Sequence, residues 1–366
     1  MNKKVAFITL GCKTNQYETN AMSQKLIEAG YTLVKQDEKA DIYVINTCTV
    51  TNMSDRKSRQ MLRKMREQNL KALIVAVGCY AQVAKEEVEK IEEIDLVLGN
   101  NEKVDVVEHI SNYLNEMKET SIISDIMETK EFQDFGETVF TERKKALIKI
   151  QDGCENYCSY CIIPYARGKV RSRKPQNVVS EITEIVKAGP QEIVLTGINI
   201  TSYGKDFENK YGLIDLLKEI DKIEKVKQIE LGSLEPQWIT EQAIQELSNI
   251  KKIYPHFHIS LQSSCDETLK RMNRKYTTRE VESIVKAMRE TFIDVTLTAD
   301  IIVGFPGETE EEFESTYLFL KKIKLNKIHV FPYSIRKGTK AAEMKEQIDA
   351  KVKKERVNKI IEGDYI

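Results

Sequence analysis

Three closely spaced cysteines are the strongest chemical signal in this sequence. Cys154, Cys158 and Cys161 follow the pattern Cys-x3-Cys-x2-Cys, directly after a predicted strand. Three thiolates at this spacing favour a soft metal centre. Structural zinc sites and most iron–sulfur clusters use four protein ligands, and no further cysteine or histidine lies nearby in the sequence. The pattern is therefore compatible with an iron–sulfur cluster that has one open iron, with a zinc site or with a redox-active cysteine cluster.

Three more cysteines are far apart in sequence but occupy equivalent positions relative to predicted strands. Cys12, Cys48 and Cys79 each come one or two residues after a strand ends; these strands are predicted at Val5–Leu10, Asp41–Asn46 and Ala72–Val77. The carboxyl ends of parallel strands meet at one edge of an open sheet, so we expect the three thiols to converge there. The alternative is three buried small side chains, because free cysteine is often buried.

The elements that position these cysteines follow a repeated strand–helix order, which is typical of parallel sheets covered by helices. A second series of strands is predicted at Leu147–Gln151, Glu192–Thr196, Gln228–Leu231, His258–Gln262, Leu297–Val303 and Ile328–Pro332. Six units without a seventh and eighth indicate an open, partial (β/α)6 barrel, whose functional loops follow the strands. We therefore predict an α/β protein with a doubly wound parallel domain over residues 1–117, a linker over 118–140 and the partial barrel over 141–366.

Composition restricts the class of protein. The chain has 366 residues with 56 Lys and Arg against 57 Asp and Glu, which excludes a uniformly basic nucleic-acid coat but not a local basic patch. Its apolar runs are shorter than the roughly 18 residues that a membrane helix needs. Seven cysteines in a chain of this size are not typical of a disulfide framework. We expect a cytoplasmic protein that does not bind membranes.

The sequence around both cysteine sets resembles the methylthiotransferases, a family of radical S-adenosylmethionine enzymes. The N-terminal motifs that match are Gly11-Cys12-Lys13-Thr14-Asn15-Gln16-Tyr17-Glu18, Ile45-Asn46-Thr47-Cys48-Thr49-Val50 and Gly78-Cys79-Tyr80-Ala81-Gln82. The downstream matches are Cys161-Ile162-Ile163-Pro164-Tyr165-Ala166-Arg167-Gly168, Leu261-Gln262-Ser263, Met272-Asn273-Arg274, Gly304-Phe305-Pro306-Gly307-Glu308-Thr309 and Phe331-Pro332-Tyr333-Ser334. The match covers nearly the whole chain. Within the family, residues 13–16 most resemble the branch that modifies threonylcarbamoyladenosine in tRNA.

The resemblance implies two [4Fe–4S] clusters, each with one open iron. The cluster that binds S-adenosyl-L-methionine and cleaves it to a 5′-deoxyadenosyl radical has the ligands Cys154, Cys158 and Cys161. The auxiliary cluster, which is thought to carry the sulfur, has the ligands Cys12, Cys48 and Cys79. Cys265 lies outside both sets, and we interpret it as a small neutral residue.

The same resemblance implies the reaction and its partners. A methylthio group is transferred to C2 of N6-threonylcarbamoyladenosine beside the anticodon in tRNA, and the enzyme requires a reductant such as flavodoxin or ferredoxin and a sulfur donor. Two alternatives stay open. One is the same chemistry on isopentenyladenosine in tRNA or on a ribosomal protein, and the other is a non-catalytic iron–sulfur or zinc-binding RNA module.

Six residues are candidates for contacts with S-adenosylmethionine. One lies between two of the clustered cysteines, and the others lie at or near the ends of barrel strands, where active sites are found and where a glycine allows close backbone approach. They are Tyr160, Thr196, Gly197, Ser233, Gln262 and Asp300. The alternative for each is a rim residue whose hydrogen bonds are satisfied within the barrel.

Two basic stretches are candidates for binding tRNA phosphates, since such contacts need positive charge rather than a specific sequence. One is the stretch Arg167, Lys169, Arg171, Arg173 and Lys174, and the other is the helical stripe Arg56, Arg59, Arg63 and Arg66. A solvated surface is the alternative for both.

Two departures from the family pattern qualify the resemblance. Glu230 replaces the usual arginine in Glu230-Leu231-Gly232-Ser233, which leaves any cofactor contact there in doubt. The family's small C-terminal β-barrel, the TRAM domain that binds RNA, is not recognisable after Tyr333, and we expect this chain to lack it.

Overall fold

A computed structural model of the chain describes residues 3–115, 119–138 and 145–363. The chain divides into two compact units that interleave in sequence. The first unit contains Met1–Glu155, Ile162–Gln191 and Thr196–Ile198, and the second contains Asn156–Cys161, Glu192–Leu195 and Asn199–Ile366. The predicted division into residues 1–117, 118–140 and 141–366 stays a prediction. Residues 116–118 and 139–144, around its two borders, lie outside the described residues.

The first unit is built on short strands joined by helices. Most of its strand pairs are parallel, and Gln151–Asp152 pairs antiparallel with Arg171–Ser172. Its strands are β1 Lys4–Thr9, β2 Thr32–Val34, β3 Ile42–Thr47, β4 Leu73–Gly78, β5 Leu96–Leu98, β6 Ser121–Ile122, β7 Lys145–Lys149, β8 Gln151–Asp152 and β9 Arg171–Ser172. Its helices are α1 Lys13–Glu28, α2 Asn52–Gln68, α3 Cys79–Val83, α4 Lys85–Val88, α5 Val106–Leu114, α6 Ile163–Arg167 and α7 Pro175–Ala188, with short 3-10 helices at Glu102–Asp105 and Ile126–Glu128.

The central sheet of the first unit confirms the predicted parallel α/β architecture. Within the described residues it has six strands in the order β2-β1-β3-β4-β5-β6, and the strand pairs are all parallel. Strands β3 and β4 are buried along their whole length. Val44 packs into one hydrophobic cluster, and its neighbours Tyr43 and Ile45 pack into another. Because successive strand side chains point to opposite faces, both faces of the sheet are covered.

Three short strands and one helix break differ from the elements predicted by sequence. Strands β2, β6 and β9 were not predicted, because two or three residues are too few to show an alternating pattern. Strand β6 lies in the predicted linker and pairs with β5. The sequence pattern predicts one helix near Ala81–Ile91, but the structure has two short helices, α3 and α4, separated at Ala84.

The second unit carries the later strands of the predicted barrel. Its strands are β10 Glu192–Thr196, β11 Gln228–Leu231, β12 His256–Gln262, β13 Thr296–Val303 and β14 Lys327–Pro332; Thr196, the last residue of β10, is counted with the first unit. Its helices are α8 Leu213–Asp221, α9 Glu241–Ser248, α10 Asp266–Arg271, α11 Thr278–Thr291, α12 Glu310–Ile323, α13 Lys340–Glu343 and α14 Ala350–Ile361, with 3-10 helices at Ile200–Ser202 and Pro236–Trp238.

The strand pairs of the second unit are parallel, as expected for a partial (β/α) barrel. Strand β10 pairs with β11, and β12 pairs with β13, which pairs with β14. Two isolated parallel bridges, Ile229 with Ile253 and Leu234 with Ile259, connect the two groups. The register of β12 shifts between Ile259 and Gln262, so that the strand ends on an irregularity.

No helix in the described residues combines the length and the apolar composition needed to cross a lipid bilayer.

Candidate functional site

The structure places Cys12, Cys48 and Cys79 at the carboxyl ends of neighbouring strands. Cys12 is three residues beyond the end of β1, Cys48 directly follows β3, and Cys79 directly follows β4 and begins α3. Strands β1, β3 and β4 are adjacent in the sheet, so the three cysteines lie at one edge of the first unit. Burial, and then the neighbouring thiols of Cys79 and Cys12, raise the pKa of Cys48 to about 11. That thiol must therefore lose a proton when it binds a metal.

The loop that carries Cys12 is held tightly against Cys48. Gly11 has a φ of +96°, and a Cβ atom at this position would lie 2.8 Å from the Sγ atom of Cys48. The side-chain amide of Asn15 donates to the carbonyl oxygens of Leu10 (2.8 Å) and Thr47 (3.0 Å). The end of β1, the start of α1 and the end of β3 are thereby fixed relative to one another.

Arg167 contacts the sulfur of Cys79, which the sequence did not predict. Its Nε atom lies 3.1 Å from Cys79 Sγ, and its Nη2 atom donates to Asn15 Oδ1 at 2.6 Å. The guanidinium group is completely buried and also contacts the carboxylate of Glu18. The Asn100 amide nitrogen lies 3.8 Å from the same sulfur. The interpretation of Arg167 as a tRNA contact is therefore wrong.

Glu18 is the centre of a buried ionic network in the first unit. It accepts hydrogen bonds from Lys103 Nζ (2.5 Å) and Lys149 Nζ (2.6 Å) as well as from Arg167, and Lys149 also bonds to Asp152 at 2.6 Å. Burial alone would raise the pKa of the Glu18 carboxyl, but the charges of Arg167, Lys103 and Lys149 outweigh burial and hold this pKa well below its usual range. Glu18 is therefore a carboxylate at neutral pH.

Two more arginines of the predicted RNA-binding loop are buried ion-pair partners. Arg173 contacts Glu181 and lies 2.8 Å from Asp134. Arg171 lies 3.8 Å from Asp152. Both side chains are about 1% exposed. The interpretation that the arginines of this loop bind tRNA phosphates is thus wrong. Side chains at alternating positions of an extended segment point to the same side, and that side can face the protein interior as readily as the solvent.

Lys169 and Lys174 of the same loop are exposed.

Some arginines of the basic stripe on α2 also make contacts within the protein. Arg59 donates to the hydroxyl of Tyr80 at 2.8 Å, and Arg66 pairs with Asp95 at 2.6 Å. Arg63 and Arg56 are exposed, although Arg63 lies 3.6 Å from Glu93. The surface that α2 offers to phosphates is therefore smaller than the sequence indicates.

The Cys-x3-Cys-x2-Cys segment is distributed over both units. Cys154 belongs to the first unit, where its backbone N–H donates to the carbonyl oxygen of Gly168 at 3.0 Å. Cys158 and Cys161 belong to the second unit and are joined by a hydrogen bond from Cys161 N to Cys158 O at 2.9 Å. The sulfur of Cys158 lies 3.1 Å from Nη1 of Arg274.

Arg274 is held in place by three oxygen acceptors in the second unit. It pairs with the carboxylate of Glu235, and its Nη2 atom donates to the carbonyl oxygen of Ser260 at 2.9 Å. Its Nε atom donates to the hydroxyl of Tyr276 at 3.1 Å. The sequence placed Arg274 in a family motif but gave no reason to expect a contact with a cysteine.

Two of the candidate cofactor contacts lie in the first unit. Thr196 is buried, and its hydroxyl lies 3.5 Å from that of Thr14. Gly197 allows a close backbone approach, because a Cβ atom there would lie 2.9 Å from the carbonyl oxygen of Gln151.

The other four candidate cofactor contacts lie in the second unit. Ser233 is exposed beyond β11, and Gln262 ends β12 with a φ of +63°. Tyr160 packs edge-on against Phe305, with ring centroids 6.4 Å apart. Asp300 lies inside β13 rather than at its end, and its Oδ2 atom is 3.2 Å from His258 Nε2. That contact gives Asp300 a partner within the protein.

The candidate donor set of the first unit is three cysteine thiols, the ligand type that holds iron–sulfur clusters. Among residues 3–115, 119–138 and 145–363, no three His, Cys, Asp or Glu side chains are gathered closely enough to hold one metal ion. In an iron–sulfur cubane each thiolate binds a different iron, so its cysteines can lie further apart. The buried cationic network beside Cys79 also matches the net negative charge of a [4Fe–4S] core bound by three thiolates.

Two protein-family models match the chain. Residues 4–99 match the uncharacterized protein family UPF0004, and residues 148–320 match the radical SAM superfamily.

Known proteins resemble the chain over most of its length. It is 45% identical to the threonylcarbamoyladenosine tRNA methylthiotransferase MtaB of Bacillus subtilis (strain 168), over 98% of this chain and 79% of the relative. It is 34% identical to the tRNA-2-methylthio-N(6)-dimethylallyladenosine synthase of Alkaliphilus oremlandii, over 99% of this chain and 78% of the relative. The radical S-adenosylmethionine methyltransferase TsrM of Kitasatospora setae shares the fold, with a TM-score of 0.70 at 15% identity over 93% of this chain and 77% of that structure.

Proposed function

This chain belongs to the methylthiotransferase family of radical S-adenosylmethionine enzymes, and from that membership we propose that it transfers a methylthio group to C2 of N6-threonylcarbamoyladenosine in tRNA. The modified base lies beside the anticodon. The proposed partners are the anticodon loop of tRNA, a reductant such as flavodoxin or ferredoxin, and a sulfur donor. The proposed location is the cytoplasm.

The proposed cofactors are two [4Fe–4S] clusters and S-adenosyl-L-methionine. The proposed ligand sets are Cys154, Cys158 and Cys161 for one cluster and Cys12, Cys48 and Cys79 for the other. When bound, the first cluster supplies the electron that cleaves S-adenosylmethionine, and the second holds the sulfur that is transferred.

The chain itself contributes position and charge around these cysteines. Asn15 fixes the Cys12 loop to the end of β3, and Arg274 donates a hydrogen bond to the sulfur of Cys158. Both contacts would limit how far these cysteines can move when they hold a cluster. Tyr160, Ser233 and Gln262 remain proposed contacts of S-adenosylmethionine, as do Thr196, Gly197 and Asp300.

The observation that carries the proposal is sequence similarity along nearly the whole chain. The chain is more similar to the relative named for threonylcarbamoyladenosine than to the one named for dimethylallyladenosine. The edge at which Cys12, Cys48 and Cys79 lie supports the second cluster on geometric grounds.

Mass spectrometry of tRNA nucleosides tests the substrate. When this chain is expressed in cells that lack the endogenous activity, we expect the 2-methylthio derivative of N6-threonylcarbamoyladenosine to appear. The same chain carrying Cys154→Ala is the control and should yield none. A methylthio group on isopentenyladenosine, or on a ribosomal protein in the same cells, would contradict the proposed substrate. Iron incorporation without any methylthio product would favour a non-catalytic iron–sulfur module.

The turn before Cys12 provides a second test, aimed at the auxiliary cluster. Gly11→Ala places a Cβ atom 2.8 Å from both Cβ and Sγ of Cys48. We expect this variant to lose the auxiliary cluster and to retain about half of the iron of the unmodified protein, since one of two clusters remains. Iron analysis and electron paramagnetic resonance (EPR) after anaerobic reconstitution measure this.

Gly30→Ala is the matched control for Gly11→Ala. Gly30 has a similar φ of +90°, but nothing lies within 4 Å of a Cβ atom built there. Both variants carry the strain of a left-handed backbone, roughly 1–2 kcal/mol, and only Gly11→Ala displaces a cysteine. Full iron content in Gly11→Ala, or an equal loss in both variants, would count against this site.

A further inference from the structure

The surroundings of Cys79 contain more positive than negative side chains. Glu18 and Asp152 are the two carboxylates of the network, and they are shared by Lys103, Lys149, Arg167 and Arg171. A buried charge is stable only where it is paired. Within the described residues these cations outnumber these carboxylates, so the network can accommodate a further negative charge beside Cys79.

Arg167 connects this network to the sulfur. Its Nη1 atom contacts Glu18 and lies 3.2 Å from Asp152 Oδ2, and its Nη2 atom donates to Asn15. These bonds fix the plane of the guanidinium group, so that Nε is aimed at Cys79 Sγ, 3.1 Å away. The Nε–H group of Arg167 is therefore already oriented to donate a hydrogen bond to the sulfur of Cys79.

We propose that Arg167 is a positioning residue for the auxiliary iron–sulfur cluster, which sets that cluster's reduction potential and slows its loss through the hydrogen bond to Cys79. The inference rests on the ligand set given under the proposed function. Hydrogen bonds to cluster sulfurs and nearby positive charge are recognised determinants of iron–sulfur potentials. Both stabilise the more negative, reduced state and so raise the potential. The network around Glu18 supplies the charge, and Arg167 supplies the hydrogen bond.

The position of Arg167 in the sequence gives this contact a further meaning. It lies six residues after Cys161, in the helix α6 that follows the Cys-x3-Cys-x2-Cys segment. The segment that carries the ligands of one proposed cluster thus continues directly into a residue that contacts a proposed ligand of the other.

Arg173 offers a matched comparison, because it differs from Arg167 mainly in its acceptor. It is equally buried and also pairs with a buried glutamate, Glu181. Its contacts with Glu181, Asp134 and Tyr17 are all to oxygen atoms. Replacing either arginine by lysine disturbs a buried ion pair of the first unit, and only the change at Arg167 removes a donor from a cysteine sulfur.

The test uses the full-length chain with Cys154, Cys158 and Cys161 replaced by alanine, so that the auxiliary cluster alone is reconstituted. The midpoint potential is measured by EPR-monitored redox titration, and iron release to a chelator is measured by absorbance. For Arg167→Lys we expect a more negative midpoint potential and roughly tenfold or more faster iron release, the size of effect typical when a partner of a metal ligand is removed. Arg173→Lys should change neither quantity.

A second variant covers the case in which Arg167→Lys does not fold. Arg167→Met removes the donor to Cys79 but leaves Glu18 paired with Lys103 and Lys149 and leaves Asp152 paired with Lys149, so that neither carboxylate loses its last cation. This variant should show the same shift of the midpoint potential to a more negative value, and its circular dichroism spectrum should be unchanged. A midpoint potential equal to that of the parent chain in the folded variants would overturn the role of Arg167 and leave the proposed function intact. Absence of any cluster in the triple-alanine parent would overturn the proposed ligand set and this inference with it.

Discussion

Cys154→Ala is expected to abolish cleavage of S-adenosylmethionine, whereas Cys48→Ala is expected to leave cleavage within about twofold of the unmodified enzyme and to abolish thiolation of tRNA. The reason is that removal of one cysteine disrupts only the cluster that this cysteine binds. The two proposed clusters take part in different steps of the reaction. Loss of the cleaving cluster removes a rate enhancement of many powers of ten. Release of 5′-deoxyadenosine and of modified nucleoside, measured in the same reduced sample, separates the two activities.

Cys265→Ala is the control for these cysteine variants. Cys265 is buried and bonds through its sulfur to Glu267 at 3.1 Å, outside both proposed ligand sets. We expect both activities to be retained in this variant. Equal loss of cleavage in the Cys154 and Cys48 variants would refute the division of roles between the two sets.

Glu18→Gln is expected to destabilise the first unit by about 3 kcal/mol or more, the usual effect of removing one member of a buried ionic network. Lys103, Lys149 and Arg167 would then face one another with one carboxylate fewer. At roughly 2–4 °C per kcal/mol, the melting temperature of the apoprotein should fall by about 6 °C or more. Differential scanning calorimetry measures this shift.

Glu28→Gln is the control, because Glu28 lies on the same helix but is exposed and contacts Gln24. Its effect should stay within about 0.5 kcal/mol. A similar melting temperature for the two variants would show that the network around Glu18 does not stabilise the fold.

The contribution of Glu18 should also depend on pH in a defined direction. Its folded-state pKa lies well below the usual value, because the surrounding cations outweigh burial. A carboxyl whose pKa is lowered by folding stabilises fully above its unfolded pKa, about 4.3, and loses that contribution as the pH falls towards the folded pKa. The difference in melting temperature between the unmodified protein and Glu18→Gln should therefore be constant from pH 8 to about pH 6 and shrink below about pH 4.

Much of the fold could be predicted from short apolar runs. Strands β3 and β4 begin with runs of four and five apolar residues, and a cysteine directly follows each strand. Both the sheet and the edge where Cys48 and Cys79 lie were therefore accessible to sequence reasoning. Strands β2 and β6 were not, because neither is long enough to show a period. The helix after β4 was predicted as one element, and only the structure reveals the interruption at Ala84.

The buried arginines could not be predicted for a different reason. A run of Lys and Arg looks the same in sequence whether its side chains meet solvent or buried acids. The partners of Arg167 are Glu18 and Asp152, which are 149 and 15 residues away in sequence. Without long-range contacts, nothing distinguishes these acids from the many exposed ones. The positive charge of Arg167 could be predicted from the sequence, but its burial could not.

The distance in sequence between Glu18 and Arg167 has a consequence for how this protein is made. Helix α1 leaves the ribosome early, but the arginine that neutralises its buried carboxylate is synthesised 149 residues later. At about 5–20 residues per second, that interval is roughly 7–30 seconds. During it the N-terminal strands can assemble only around an ionic centre that lacks Lys149, Asp152 and Arg167. We expect the nascent sheet to stay open over this period and to close only after α6 has emerged, so that a late element of the first unit, rather than an early one, determines when water is excluded from its core.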